Sequence, residues 1–253
     1  MLNDSSKQYD AIPWSPGRAI IMTIVAMLGG QAVAAIVVLV AFLLLGWSGS
    51  RVESWASTTF GQFVQVLIAE ALALVAVWLF VRKRWPGWSA FGFTRRPRLS
   101  DGGYAFLAGL VYLMLLTVAT AVAGALWHID LDQKQQIGFE AVVSSTDRIF
   151  AFISLVILPP IVEEILFRGV LFGGFRKRLA FTWATTFTSL LFAFPHLLQG
   201  DNSLLWIGAI DTFVLSFALC YLREHTGSLW ASIFLHAMKN GLAYLYLFII
   251  VTK

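Results

Sequence analysis

The stretch Pro159-Pro160-Ile161-Val162-Glu163-Glu164-Ile165-Leu166-Phe167-Arg168-Gly169 sets two carboxylates and a guanidinium inside an apolar run long enough to cross a bilayer. A charge left at the bilayer centre costs ~2.5–3.5 kcal/mol on insertion scales, so an ionisable residue within a span faces protein or a polar cavity and carries function by default. Glu164 and Arg168 stand at i and i+4, which on a helix places them on one face where they can pair. Glu163 lies about 100° away around the axis and is expected to be the freer carboxylate. Pro159 and Pro160 remove two backbone donors just before it, so the sequence predicts a helix kinked at the glutamates, with a polar cavity opened there.

The rest of the chain sets this stretch in a membrane. Of 253 residues, 58% are hydrophobic and 13% charged, and the mean hydropathy is +0.77. That balance excludes a large soluble domain and predicts an all-α, polytopic transmembrane helix bundle. Seven segments reach the ~20 mostly apolar residues that a span needs: 19–45, 62–81, 104–126, 149–172, 181–199, 204–222 and 229–250. The expected count is about seven, or eight with a re-entrant helix. Three parts follow: a polar amino-terminal segment 1–18, membrane helices over 19–148 with a basic interfacial loop at 82–101, and a core over 149–253 that holds the polar motifs. The first apolar run is too long for a signal-peptide core, so no cleavage is expected.

The net charge of +4 does not point to nucleic acid, because the basic residues cluster between apolar runs as topology signals do. Arg82, Lys83, Arg84, Arg95, Arg96 and Arg98 follow the second run, Arg176, Lys177 and Arg178 the fourth, and Arg223 the sixth. With Lys7 and Arg18 these belong on the cytoplasmic side, against Arg51, Lys134, Arg148 and Lys253 on the other, which puts the amino terminus inside and the carboxyl terminus outside. Trp85, Trp88, Phe91 and Phe93 among the arginines suit rings at headgroup level. The polar stretch 128–148 reads as an external loop with a short surface helix around 138–143. The single cysteine, Cys220, lies in an apolar run and can form no internal disulfide.

Two later segments supply partners for a carboxylate base. Phe192-Ala193-Phe194-Pro195-His196 closes the fifth run, and His236-Ala237-Met238-Lys239-Asn240 puts His236 and Asn240 on one helical face in the seventh. A free carboxylate, a Glu–Arg pair, two imidazoles and an amide suit hydrolysis by activated water, with glutamate as base. Histidine and asparagine would then either hold a metal ion that acidifies the water or donate hydrogen bonds to the oxyanion. No His-Glu-x-x-His pair is present, nor a serine nucleophile elbow or paired catalytic aspartates. Lys239 departs in phase from Asn240 and is expected to snorkel or to pair with Asp211 or Glu70.

Glu163-Glu164-x-x-x-Arg168, Phe192-x-x-x-His196 and His236-x-x-x-Asn240, in this order on successive spans, resemble the CPBP family of CAAX prenyl endopeptidases and bacteriocin-processing or immunity proteins, also called the Abi family. The lead-in from Pro160 to Gly169 and the stretch Thr226-Gly227-Ser228-Leu229-Trp230 also resemble it, so the likeness covers about residues 150–245. It implies an intramembrane glutamate- or metallo-endopeptidase of a multi-pass bacterial cytoplasmic membrane protein, acting on a membrane-associated peptide or protein among membrane lipids. It implies Glu163 as the water-activating base, Glu164 with Arg168 as its support, and His196, His236 and Asn240 as oxyanion-stabilising or metal-binding groups. Zinc on His196 and His236 is the cofactor that the metal alternative implies. Two other classes compete. A non-proteolytic scaffold or immunity protein would keep the same fold, and an ion-coupled transporter would use Glu70, Glu163, Glu164, Asp211 and Lys239 as a pathway, although the halves show no inverted repeat.

Overall fold

The computed structural model describes residues 7–10, 12–130, 133, 135–139, 141–200 and 203–250, with the backbone alone at Lys7 and Arg84. Lys134 and Lys253, both assigned above to the external side, lie outside the described residues. Among these residues the chain is all-α, and its sole extended pairing is an isolated antiparallel bridge between Gln135 and Gly200. Six helices are long and apolar enough to cross a membrane: α1 (Pro16–Leu44), α2 (Thr59–Val81), α3 (Leu99–Trp127), α4 (Ser145–Arg176), α6 (Trp206–Thr226) and α7 (Trp230–Ile250). The seventh expected run, 181–199, forms α5 (Phe181–Leu197) with 17 residues. At 1.5 Å per residue it reaches roughly 26 Å, short of the ~30 Å hydrocarbon thickness. Large apolar side chains stay exposed along α1 and α3, among them Leu28, Ile36, Leu107 and Met114, as a lipid-facing surface requires.

Two local expectations are corrected. α4 starts at Ser145 rather than at residue 149, because Ser144 and Asp147 close a capping box. The Asp147 carboxylate accepts from the Ser144 amide at 2.9 Å, and the Ser144 hydroxyl accepts from the Asp147 amide at 3.1 Å. The surface helix expected around 138–143 does not form. Gly138 and Phe139 both have positive φ, at 69° and 60°, which breaks a right-handed helix, and the Phe139 amide donates to the Gln62 side chain at 2.6 Å instead.

The described residues form two compact units that interleave along the chain. One draws on residues 20–85, 138–166 and 237–253. In it α2 buries Ala69, Ala73, Val77 and Val81 at four-residue spacing, a small-residue ridge that lets backbones approach where lipid provides no hydrophobic drive. The approach is tight at Gly30 of α1, where a Cβ would stand 2.8 Å from the Ala69 carbonyl oxygen.

The other unit draws on residues 1–19, 86–137 and 167–236. At one of its ends the loops before α3, after α4 and after α6 converge. Gly92, at φ 101°, accepts from the Leu229 amide at 3.0 Å, and the Trp230 indole donates to the Arg95 carbonyl at 2.8 Å. Arg95 grips Asp101 bidentately at 2.6 and 2.7 Å, and Arg176 grips Glu224 at 2.7 and 3.0 Å. At the opposite end, beyond α3 and α5 and before α6, the Gln136 amide donates to the Gln199 carbonyl at 2.9 Å and Gln133 donates to that of Leu204 at 3.0 Å. The basic loops therefore gather at one end of this unit, and α5 runs between the ends despite its length. The aromatic loop divides: Trp85 and Trp88 are exposed, whereas Phe91 packs into the core against Trp14 at 5.1 Å.

Single-cysteine probes replacing Arg95 and Lys177 should label from one side of the membrane and a probe replacing Gln135 from the other, because Cys220 is buried and silent. Labelling of 135 and 177 from the same side would contradict the alternation.

Candidate active site

The two prolines of α4 set its local geometry. Residues Ile153–Ile157 and Ile165–Phe172 are π-helical, flanking an α-helical stretch Leu158–Glu164 whose first turn contains Pro159 and Pro160. A first turn tolerates proline because its amide has no intrahelical acceptor. The upstream π-turn lets the helix restart at the prolines, so the expected disruption is absorbed as a change of register. π-turns are rare and occur mostly at functional sites. From Ile165 onward the bonds run i→i+5, so the four-residue spacing no longer decides which glutamate faces Arg168. Burial separates the groups instead: Glu164 and Arg168 are completely buried, and Glu163 is half-buried.

In the unit that contains Arg168, three of the predicted residues gather on one ring. The Arg168 guanidinium carbon lies 4.5 Å from the Phe192 ring centroid, in cation–π range. The His236 ring meets Phe192 edge-on at 5.8 Å, and the His196 ring lies 5.4 Å from it. Phe167, one residue before Arg168, packs edge-on against the same ring at 4.8 Å. Phe192 is buried, as is His236 at 4% exposure. His196 Nδ1 stands 3.0 Å from the Phe192 carbonyl; since a carbonyl only accepts, Nδ1 carries the proton and a neutral His196 presents its lone pair at Nε2. Pro195 sits inside α5 without ending it.

In the other unit, the Asn240 amide on α7 donates to the Leu155 carbonyl at 2.9 Å, in the π-turn just upstream of the glutamates. α7 approaches α4 closely here, since a Cβ on Gly241 would meet Val156 at 3.6 Å. The bond orients the Asn240 side chain and leaves one N–H and the amide oxygen for other partners. Asp211, a further carboxylate on a helix able to cross a membrane, accepts a hydrogen bond from Tyr112 in its own unit.

Zinc was the cofactor that the metal alternative implied. Among the described residues no group of three or more His, Cys, Asp or Glu side chains is placed to hold a metal ion. Sequence reasoning gave no role to Phe192. Its spacing of four from His196 was the available signal, since on a helix the two share a face.

Arg168→Ala should destabilise the protein as well as inactivate it, because it leaves the Glu164 carboxylate in an apolar interior without a nearby guanidinium. Leaving a buried charge uncompensated costs about 3–5 kcal/mol, whereas losing the ring under the guanidinium in Phe192→Leu should cost about 0.5–2 kcal/mol. Thermal unfolding of the two purified variants checks the order; an unchanged melting temperature for Arg168→Ala would contradict it.

Comparison with known proteins bears on the same stretch. Residues 144–242 match the family described as "Type II CAAX prenyl endopeptidase Rce1-like". Over 84 residues the chain is 31% identical to the "Putative membrane peptidase YdiL" of Bacillus subtilis (strain 168), which covers 33% of this chain and 32% of that protein. The chain thus matches about a third of the length of this relative. No solved structure matches. With six helices able to cross a membrane, the chain is an integral membrane protein. The residues that carry all three motifs lie within the matched segment 144–242, which is similar to the Rce1-like type II CAAX prenyl endopeptidase family.

Proposed function

We infer that this protein is an intramembrane endopeptidase that hydrolyses a peptide bond of a membrane-associated peptide or protein by glutamate-activated water. The observation that carries the reading is the convergence of buried Arg168 and His236 and half-buried His196 on Phe192, on helices that also bear Glu163 and Asn240. A buried cation and two imidazoles in an apolar interior are costly to keep there unless they act on something.

In the reaction, the Glu163 carboxylate takes a proton from water, and the hydroxide adds to the scissile carbonyl. The developing oxyanion receives hydrogen bonds from His236 and from the Asn240 N–H that Leu155 does not hold. Such donors are worth most in a site without bulk water. Glu163 then returns its proton to the leaving amine. Arg168 and Glu164 remain buried and hold the charge balance around the base. His196, with its proton held at Nδ1, offers an acceptor at Nε2 and suits relay of a proton from the substrate side. A bacterial cytoplasmic membrane is the location that the resemblance of the motifs implies, and the Bacillus relative is itself named a membrane peptidase. That α4 and α7 are long and apolar enough to cross a membrane supports a membrane-associated substrate.

Glu163→Gln keeps the shape and removes the base, so cleavage of a membrane-anchored peptide by detergent-purified protein should fall by about 10²–10⁴-fold with the fold intact. Wild-type activity in this variant would remove Glu163 from the mechanism and return the protein to the scaffold reading. Cleavage should persist in the presence of a chelator. Loss on chelation that zinc restores, with zinc found by elemental analysis, would assign His196 and His236 as ligands instead.

A further inference from the structure

The amino-terminal segment is buried against the helix that carries the glutamates and Arg168. Tyr9, Ile12 and Trp14 are 0%, 2% and 1% exposed, although the segment is polar in sequence. The Trp14 indole N–H donates to the Val170 carbonyl at 3.0 Å, 156 residues away. Val170 lies inside the π-helical run Ile165–Phe172. Around it the helix has glycines where the segment arrives: a Cβ on Gly173 would stand 2.7 Å from Ile12, and one on Gly174 2.5 Å from Ala19 and 3.2 Å from Trp14. The Lys177 ammonium donates to the Ile12 carbonyl at 2.7 Å, and Tyr9 packs edge-on against Phe172 at 5.8 Å. Burial pushes the Tyr9 phenol above its ordinary value, so it stays neutral between the guanidinium groups of Arg176 and Arg223. The second side-chain donor to this run is Thr23, whose hydroxyl donates to the Leu166 carbonyl at 3.2 Å.

A π-run is intrinsically poorer than the α-helix it could become, because its wider turns pack and bond less well. A stretch of this kind persists when side chains from elsewhere satisfy its carbonyls and glycines admit the donor. Val170 and Leu166 meet that condition, each receiving one donor from the first 25 residues, and a carbonyl has two lone pairs to accept with. We propose that Trp14 is a positioning residue for the reaction: its indole N–H, donated to the Val170 carbonyl, holds the π register of the run that carries Arg168. The proposal rests on the reading of α4 as the catalytic helix. It gives the amino-terminal segment a structural part in the chemistry that its polar composition does not announce.

The test is Trp14→Phe in the full-length protein, which keeps a ring and removes the N–H. Hydrogen exchange is read on peptides covering 165–176, and kcat and KM on the substrate used for Glu163→Gln. Exchange should quicken on the order of fivefold, as expected for loss of one neutral hydrogen bond. kcat should fall by up to about 10²-fold, the scale of an ångström-sized misplacement, with KM little changed. Tyr9→Phe, which removes a hydroxyl from the same segment and leaves the indole, should change neither. Unchanged exchange overturns the proposal whatever Glu163→Gln does. Faster exchange with unaltered kcat reduces Trp14 to a packing residue and overturns it too. Should Trp14→Phe not fold, Gly174→Ala reaches the same contact from the helix side, and the same two readouts apply. Because exchange needs no turnover, failure of the peptidase reading, seen as wild-type cleavage by Glu163→Gln, is separable from failure of the clamp.

Discussion

A guanidinium and a carboxylate that have been taken entirely out of water govern how this protein folds. Arg168 and Glu164 are each 0% exposed on a helix long and apolar enough to cross a membrane, and neither charge is tolerable there without dense polar or aromatic company. The consequences run outward from α4. Phe192 supplies a ring face for the guanidinium, and the same ring seats His196 and His236. An ion that had to be accommodated thus organises the imidazoles around it, and the candidate chemistry grows out of an electrostatic necessity.

The second consequence concerns the backbone. Two prolines beside two glutamates cannot be carried by a regular α-helix, and α4 answers with π-turns before and after them. Each irregular turn is tied to another part of the chain: Asn240 to Leu155, Thr23 to Leu166, Trp14 to Val170. The helix that bears the candidate residues is therefore held by contacts distant in sequence, which suits a site whose members must keep fixed distances.

Much of this was legible from the residues. Glu163, Glu164 and Arg168 announced themselves because charge inside an apolar run has few structural explanations. The all-α, polytopic class followed from hydropathy, and the basic loops that were grouped by sequence converge at one end of their unit. What stayed hidden depended on register and on distance along the chain. The π-turns were invisible because prolines signal disruption without saying how a helix absorbs it, and they undercut the four-residue argument for pairing Glu164 with Arg168. The surface helix drawn around 138–143 was wrong because φ of Gly138 and Phe139 is a tertiary outcome, fixed by Gln62. Trp14 and Tyr9 read as part of a polar tail, since their partners lie some 150 residues on and no periodicity connects them. Phe192 was quoted within a motif and left without a task, because an aromatic in a membrane span is ordinary until something charged lies over it.

The central claim is that Glu163 and His236 act in one step, the first on water and the second on the oxyanion. A double-mutant cycle on purified protein tests it most directly, with Glu163→Gln, His236→Ala and the combined variant compared on one cleavable substrate. Groups that work as a unit lose their joint contribution when either is removed. The account predicts that the combined variant is about as inactive as the more impaired single one. A combined loss equal to the product of the two single losses would mean that the residues act independently, and would contradict it.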